Sequence, residues 1–207
     1  MLFRSLAREA GLSVTVYSVS DPEKLTGDAL TAYRKFAEAK GAVVPFQSDL
    51  DIETDVTVDA LLGTGLDRPV TGAYAEAIAF INKNQKHVIA VDIPSGLNAD
   101  TGNIMACAVK ADCTVSFIGL KQGLFTGQAA DYCGEIFYAS LAVPDDVFEA
   151  VPSRTVRVVK TRLPNRESYS HKGNYGHVLI IGGDLGYTGA ARMAGEAALR
   201  IGSGLVS

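Results

Sequence analysis

The sequence has only three cysteines, Cys107, Cys113 and Cys133, and none stands in a CxxC pair. An odd, unpatterned count behind an N-terminus without a secretory apolar stretch suits reduced thiols in the cytoplasm. Such thiols read as buried and inert. The three histidines lack metal-ligand spacing, which argues against zinc. No apolar run approaches the roughly 20 residues a membrane span needs, so no membrane partner is expected. There is no basic block and no acidic tail, and the net charge is −4. A nucleic-acid surface, which needs clustered Lys and Arg, is therefore not expected. GxSxG is missing and Ser95 has no His–Asp signature near it, which disfavours a serine hydrolase. No GxGxxG follows a strand with an acidic residue about 20 positions on, which disfavours a dinucleotide-dependent dehydrogenase.

What is present is an ordinary globular composition, 47% hydrophobic and 20% charged. The 207 residues suit one domain, or one domain and part of another. "LFRSLAREAG" reads as the end of a helix, and "LSVTVYSV" as a strand. "GDALTAYRKFAEAKG" predicts a helix with Ala32, Phe36 and Ala39 on one face, stopped by Gly41. "AVVPF" is a short strand placed near an edge by Pro45. "VTVDALLG" reads as a strand, and "AYAEAIAFINKN" as an amphipathic helix with Ala75, Ile78, Ala79 and Asn82 at helical spacing. Three more strands follow, "HVIAVDI", "DCTVSFIG" and "GEIFYASL". Strands alternating with helices predict an α/β fold, a doubly wound and mostly parallel sheet. Strands so uniformly apolar are expected to be covered on both faces.

Periodicity weakens past "GEIFYASL", in a stretch carrying Pro144, Pro152 and Pro164. The expected organisation is a first domain over 1–150, a linker over 151–168 and the opening of a second domain over 169–207. That opening reads as one strand, "HKGNYGHVLIIGGD", and one small-residue helix. A single strand and helix cannot bury a core.

In an open α/β sheet, ligands bind beyond the carboxyl ends of the strands. Three loops are placed there. "GTGLDRPVTG" follows "VDALL", and its glycines let backbone N–H groups approach an anion, with Arg68 available to pair a phosphate. A purely structural turn is the alternative. "AVDIPSGLNADTG" ends a strand on Asp92, then stiffens through Pro94 and turns at Gly96, making a platform for Asp92 and Ser95. Such a carboxylate suits acid/base work or a hard cation, although an Asp can also simply cap its own turn. "GLKQGLFTGQAADYCG" brings Lys121 close behind a strand end, either to an anionic ligand or into solvent. Asp59, inside the expected strand "VTVDALLG", must be paired or bind a cation. Asp59, Asp92 and Ser95 together could form an oxygen-rich cation site.

"VDALLGTGLDRP", "VIAVDIPSGLNADTG", "VKADCTVSFIGLKQGLFTGQAADYCG" and "SHKGNYGHVLIIGGDLGYTGAARMAGEAALRIGSGLV" resemble the bacterial bifunctional NAD(P)H-hydrate repair enzymes. The likeness runs over nearly all of the chain from about Ala10. It implies a Rossmann-like epimerase domain followed by a ribokinase-like dehydratase domain. The epimerase of that family interconverts the R and S forms of hydrated NADH and NADPH. The dehydratase removes water from the S form with ADP or ATP. The resemblance implies a potassium site at Asp59 and Ser95. It implies contact with the hydrated nucleotide along Gly63, Thr64, Gly65, Leu66, Asp67, Arg68 and Pro69. It assigns Asp92 as the substrate-contacting acid/base, and Ala190 as a contact with the hydrate in the second domain. Lys121 matches the lysine of an "LKxGL" pattern.

The pattern departs at both ends. "MLFRS" stands where the family carries a "GNNGGDG" loop, and the remaining dehydratase site would lie past Ser207. The expectation is therefore an internal fragment of a two-activity repair enzyme, with little epimerase turnover and no dehydratase turnover of its own. A non-catalytic nucleotide- or partner-binding module is the alternative. A homo-oligomer is compatible with either.

Overall fold

A computed structural model describes residues 7–153, 155–158 and 162–207. Two compact units result, Met1–Thr155 and Val156–Ser207. Residues 7–9 are helical; the rest of the expected helix end, residues 2–6, and parts of the expected linker lie outside the described residues.

In the first unit, strand β1 (Thr15–Ser18) pairs in parallel with β2 (Ala42–Pro45), and helix α1 (Gly27–Glu38) connects them. Phe36 is the buried anchor of α1, Ala32 is half-buried and Ala39 is exposed past its end. Pro45 closes β2, which has no further partner on its other side among the described residues, as its missing N–H requires.

The larger sheet has the order β3–β4–β5–β6, all parallel, with β3 Thr57–Asp59, β4 Val88–Val91, β5 Cys113–Phe117 and β6 Glu135–Ala139. Helix α2 (Gly72–Asn84) crosses from β3 to β4. The parallel α/β class is therefore as the sequence predicts, although the strands form separate ladders. The central strands β4 and β5 alternate buried and half-buried side chains. The outer strands differ from expectation: Val58 on β3 and Phe137 and Tyr138 on β6 are exposed. An outer strand has a ladder partner on one side only, so apolar composition does not by itself cover its face.

Helix α2 also corrects the expected stripe. Ala77, Ile78 and Ile81 are buried and Tyr74 half-buried, whereas Ala79 is exposed. These four positions run i, i+3, i+4, i+7, the register that faces a core. Ile78 and Ile81 pack with Val70, Val88 and Val109. Asn82 does not pack; its side-chain amide donates to Ala108 O (2.9 Å) and its Oδ1 accepts from Lys110 N–H (2.8 Å). A second core gathers Ile93, Leu97, Ala108, Leu124, Ala129 and Cys133 behind the strand-end loops.

The sequence "VTVDALLG" stops being a strand at Asp59, earlier than expected. Residues past Asp59 turn instead toward the loop after β4, because Leu62 N–H bonds to Ser95 rather than to a ladder. The passage from β4 to β5, residues 92–112, contains no helix. It folds on itself through an antiparallel bridge between Leu97 and Ile104, and through Met105 N–H to Gly96 O and Val109 N–H to Ser95 O.

In the second unit, β7 (His177–Val178) pairs in parallel with β8 (Leu205–Val206) across helix α4 (Gly189–Ile201). A short helix α3 (Asp145–Ala150) precedes this unit. Of the strand expected in "HKGNYGHVLIIGGD" only His177–Val178 forms, and Leu179 and Ile181 are exposed. Its ladder partner spans only Leu205–Val206, with one further bond from Ile180 N–H to Ser207 O.

Candidate active site

The loops after β3, β4 and β5 leave the same end of a parallel sheet. Asp59, the last residue of β3, is 1% exposed. Its Oδ1 accepts from the Ser95 hydroxyl (2.6 Å) and from Leu61 N–H (3.3 Å), and its Oδ2 accepts from Ser95 N–H (2.8 Å). Burial pushes the Asp59 carboxyl above the ordinary carboxylate range, and these three donors pull the other way. Ser95, also buried, accepts from Leu62 N–H through Oγ (2.8 Å). One carboxylate thus ties the β3 and β4 loops together.

Those loops could hold a cation only through oxygen. Asp59 Oδ1, Ser95 Oγ and Leu62 O form a chain of contacts of 2.6 and 3.2 Å. One anionic and two neutral hard oxygens suit an alkali cation in chemistry. Among the described residues, no three His, Cys, Asp or Glu side chains come together as a metal cluster.

The glycine loop follows at once. Gly63, Thr64, Gly65, Asp67, Arg68 and Pro69 are exposed, whereas Leu66 is half-buried against the α2 core. Its far end is held by Val70 N–H on Met105 O (2.8 Å). Its middle is held by Asn98, whose side-chain amide donates to Leu66 O (3.2 Å). Asn98 Oδ1 in turn accepts from Asp100 N–H, Thr101 N–H and the Thr101 hydroxyl. Sequence reasoning passed over Asn98; the side-chain turn legible in "NADT" was the available signal.

Asp92 follows β4 with φ of 72°, a left-handed backbone that an Asp tolerates better than most residues. Its N–H donates to Val115 O (2.8 Å), and its Oδ1 accepts from Phe117 N–H (3.0 Å) and the Ser116 hydroxyl (3.4 Å). Lys121 donates to the same Oδ1 and to Phe117 O (2.8 Å) and Ser116 Oγ (3.3 Å). Ile118, between them in sequence, is also left-handed, with φ of 62°. One partner of this ion pair and a residue three positions before the other thus hold left-handed backbone, an outlier of the kind that gathers at functional sites. Asp92 bonds to β5, and no hydrogen bond joins it to Asp59 or Ser95. The sequence reading of Lys121 left a ligand and solvent open; the structure gives it a third position, against Asp92.

Gly96 makes the platform possible. Its φ is +100°, and a Cβ there would stand 2.0 Å from Cys107 O. Pro94 and Ser95 beside it are buried. Ala190 lies exposed in the first turn of α4, in the second unit.

A parallel sheet with a helix crossing between its strands and loops gathered at the strand ends is a Rossmann-like α/β arrangement. A family model described as YjeF-related protein N-terminus matches residues 2–123. That is more than half of the 207 residues, and the chain belongs to that family. Relatives extend the match over the rest. Bifunctional NAD(P)H-hydrate repair enzyme Nnr of Coxiella burnetii is 43% identical over 212 residues, covering 100% of this chain and 43% of that protein. The Vibrio cholerae protein of the same name is 45% identical over 205 residues, covering 97% and 41%. That of Escherichia coli K12 is 38% identical, covering 97% and 40%. The chain spans about two fifths of the length of these curated relatives.

Proposed function

We propose that this chain carries an NAD(P)H-hydrate epimerase site, with Asp92 as its acid/base. The observation behind this is the Asp92 carboxylate, held at the end of β4 by Phe117 N–H, at the same end of the parallel sheet from which the exposed glycine loop leaves. The names of the relatives supply the substrate class, hydrated NADH or NADPH. Gly63, Thr64, Gly65, Leu66, Asp67, Arg68 and Pro69 would contact the nucleotide, whose phosphates suit free loop N–H groups and Arg68.

Inverting the hydroxylated ring carbon requires its hydroxyl to leave as water. The C–O bond breaks as the ring-nitrogen lone pair forms C=N, and the departing oxygen takes up a proton. Water then adds to the other face, the C=N pair returns to nitrogen, and the added oxygen gives up a proton. Asp92 would relay the first proton to the departing oxygen and take up the second. A positioned acid/base of this kind contributes roughly 10²–10⁴ in rate. Asp59 and Ser95 would hold a potassium ion, whose charge would offset that of the phosphates and whose binding would stiffen two loops. The relatives' second activity, the nucleotide-dependent dehydration, would belong to a ribokinase-like domain opening near residue 169, with Ala190 touching the hydrate and ADP or ATP as co-substrate.

The test is conversion of R-NADPH hydrate to the S form, followed by chromatography, in the parent chain and in Asp92→Asn. Conversion that falls by 10²-fold or more in Asp92→Asn while hydrate binding persists supports the reading. Binding without conversion, by this chain and also by one extended through a "GNNGGDG" loop, would make this a nucleotide-binding module instead.

A further inference from the structure

The donors around Asp92 are unevenly shared. Phe117 N–H, the Ser116 hydroxyl and the Lys121 ammonium all meet Oδ1, and among the described residues no donor meets Oδ2. The Asp92 side chain is 25% exposed, so Oδ2 is not sealed in the core. Lys121 is the converse case. An ammonium has three protons, and Asp92 Oδ1, Ser116 Oγ and Phe117 O provide three acceptors. Its side chain is 16% exposed. A lysine so enclosed and so fully bonded has no proton left for a substrate phosphate. Its charge acts on Asp92.

We propose that Lys121 is the positioning residue of this site. It clamps Oδ1 against the end of β5 and turns Oδ2 outward as the oxygen that exchanges a proton with substrate. This rests on the epimerase reading above. Ser116, fully buried, relays the clamp: it accepts from Lys121 and donates to Oδ1. Parallel pairing of β4 with β5, Val91 opposite Val115, brings the two strand ends side by side, and Asp92 and Ile118 just past them hold left-handed backbone.

The experiment compares the parent chain with Lys121→Met and Lys121→Arg. Met keeps the aliphatic stem and loses the charge; Arg keeps a cation for Oδ1. Two quantities are read. One is epimerisation of NADPH hydrate, separated into kcat and KM. The other, independent of turnover, is the 13C resonance of the Asp92 carboxylate in aspartate-labelled protein, identified by its loss in Asp92→Asn. Lys121→Met is expected to move that resonance and to lower kcat roughly 10- to 100-fold, the scale of misplacing a reacting group, with KM within about twofold. A lysine that bound substrate phosphate would raise KM instead. Lys121→Arg is expected to return both readouts toward the parent values. An unmoved Asp92 resonance in Lys121→Met, an unchanged kcat, or a loss confined to KM overturns the proposal. Should Lys121→Met not fold, Lys121→Arg decides, and a displaced resonance there overturns it. Absence of epimerisation even by a chain extended through the "GNNGGDG" loop would sink the functional reading, and the resonance would still decide what holds Asp92.

Discussion

The Ser95 hydroxyl donates to Asp59 Oδ1 over 2.6 Å while Ser95 N–H donates to Oδ2 over 2.8 Å, so one residue of the β4 loop grips both oxygens of the carboxylate that ends β3. The two residues are 36 positions apart in sequence. Their contact fixes where the exposed glycine loop begins, since Ser95 also accepts from Leu62 N–H.

Asp59 gives the fold a pH dependence of definite sign. Burial raises its folded-state carboxyl above the ordinary value of 3.8. The folded state then binds the proton more readily than the unfolded chain. Asp59 therefore lowers stability as pH rises from about 4 through its folded value. Potassium, where it neutralises this carboxylate, offsets that loss. Thermal melts at neutral pH are expected to shift upward with potassium over lithium, and less so in Asp59→Asn. Equal shifts in both proteins would remove Asp59 from the cation site.

Gly96→Ala is expected to destabilise the first unit severely. The left-handed φ of +100° costs an L-residue about 1–3 kcal/mol. The added methyl also meets the Cys107 carbonyl at 2.0 Å, backbone that cannot swing away. A loss of at least about 2 kcal/mol in denaturant unfolding is expected. An unfolding free energy within about 1 kcal/mol of the parent would contradict the geometry.

Asn98→Ala removes one donor and one acceptor that together join the 98–101 turn to the 63–69 loop. Losing these bonds costs about 1–3 kcal/mol. Because the freed segment is the proposed nucleotide-contacting loop, KM for the hydrate should rise more than kcat falls. A selective fall in kcat would place the loop in the chemistry rather than in binding.

The three thiols should react unequally. Cys133 is buried and burial pushes its thiol up to about 11. Cys107 and Cys113 are half-buried and also raised by burial. Iodoacetamide at pH 8 is expected to spare Cys133 until denaturant opens the second core, because the thiolate is the reactive form. Peptide mapping of the alkylated chain reads this directly.

The local chemistry of the chain was legible without coordinates. β-branched runs marked the strands, Gly96 and Pro94 marked the sharp turn, and a lone carboxylate after "VIAV" marked a strand end. Asp59, Asp92, Ser95 and the glycine loop were all singled out this way, because each breaks a local rule of composition. The parallel α/β class followed from alternation. Three things were decided only by the tertiary structure. The strand carrying Asp59 ended at the carboxylate because Ser95, far along the chain, captured the backbone beyond it. The buried face of α2 ran through Tyr74, Ala77, Ile78 and Ile81 because Val88 and Val109 lay against that side. Lys121 turned to Asp92 because β4 and β5 are neighbours. A sequence records which groups will need partners. Which partner each finds depends on how strands far apart in the chain come to lie side by side.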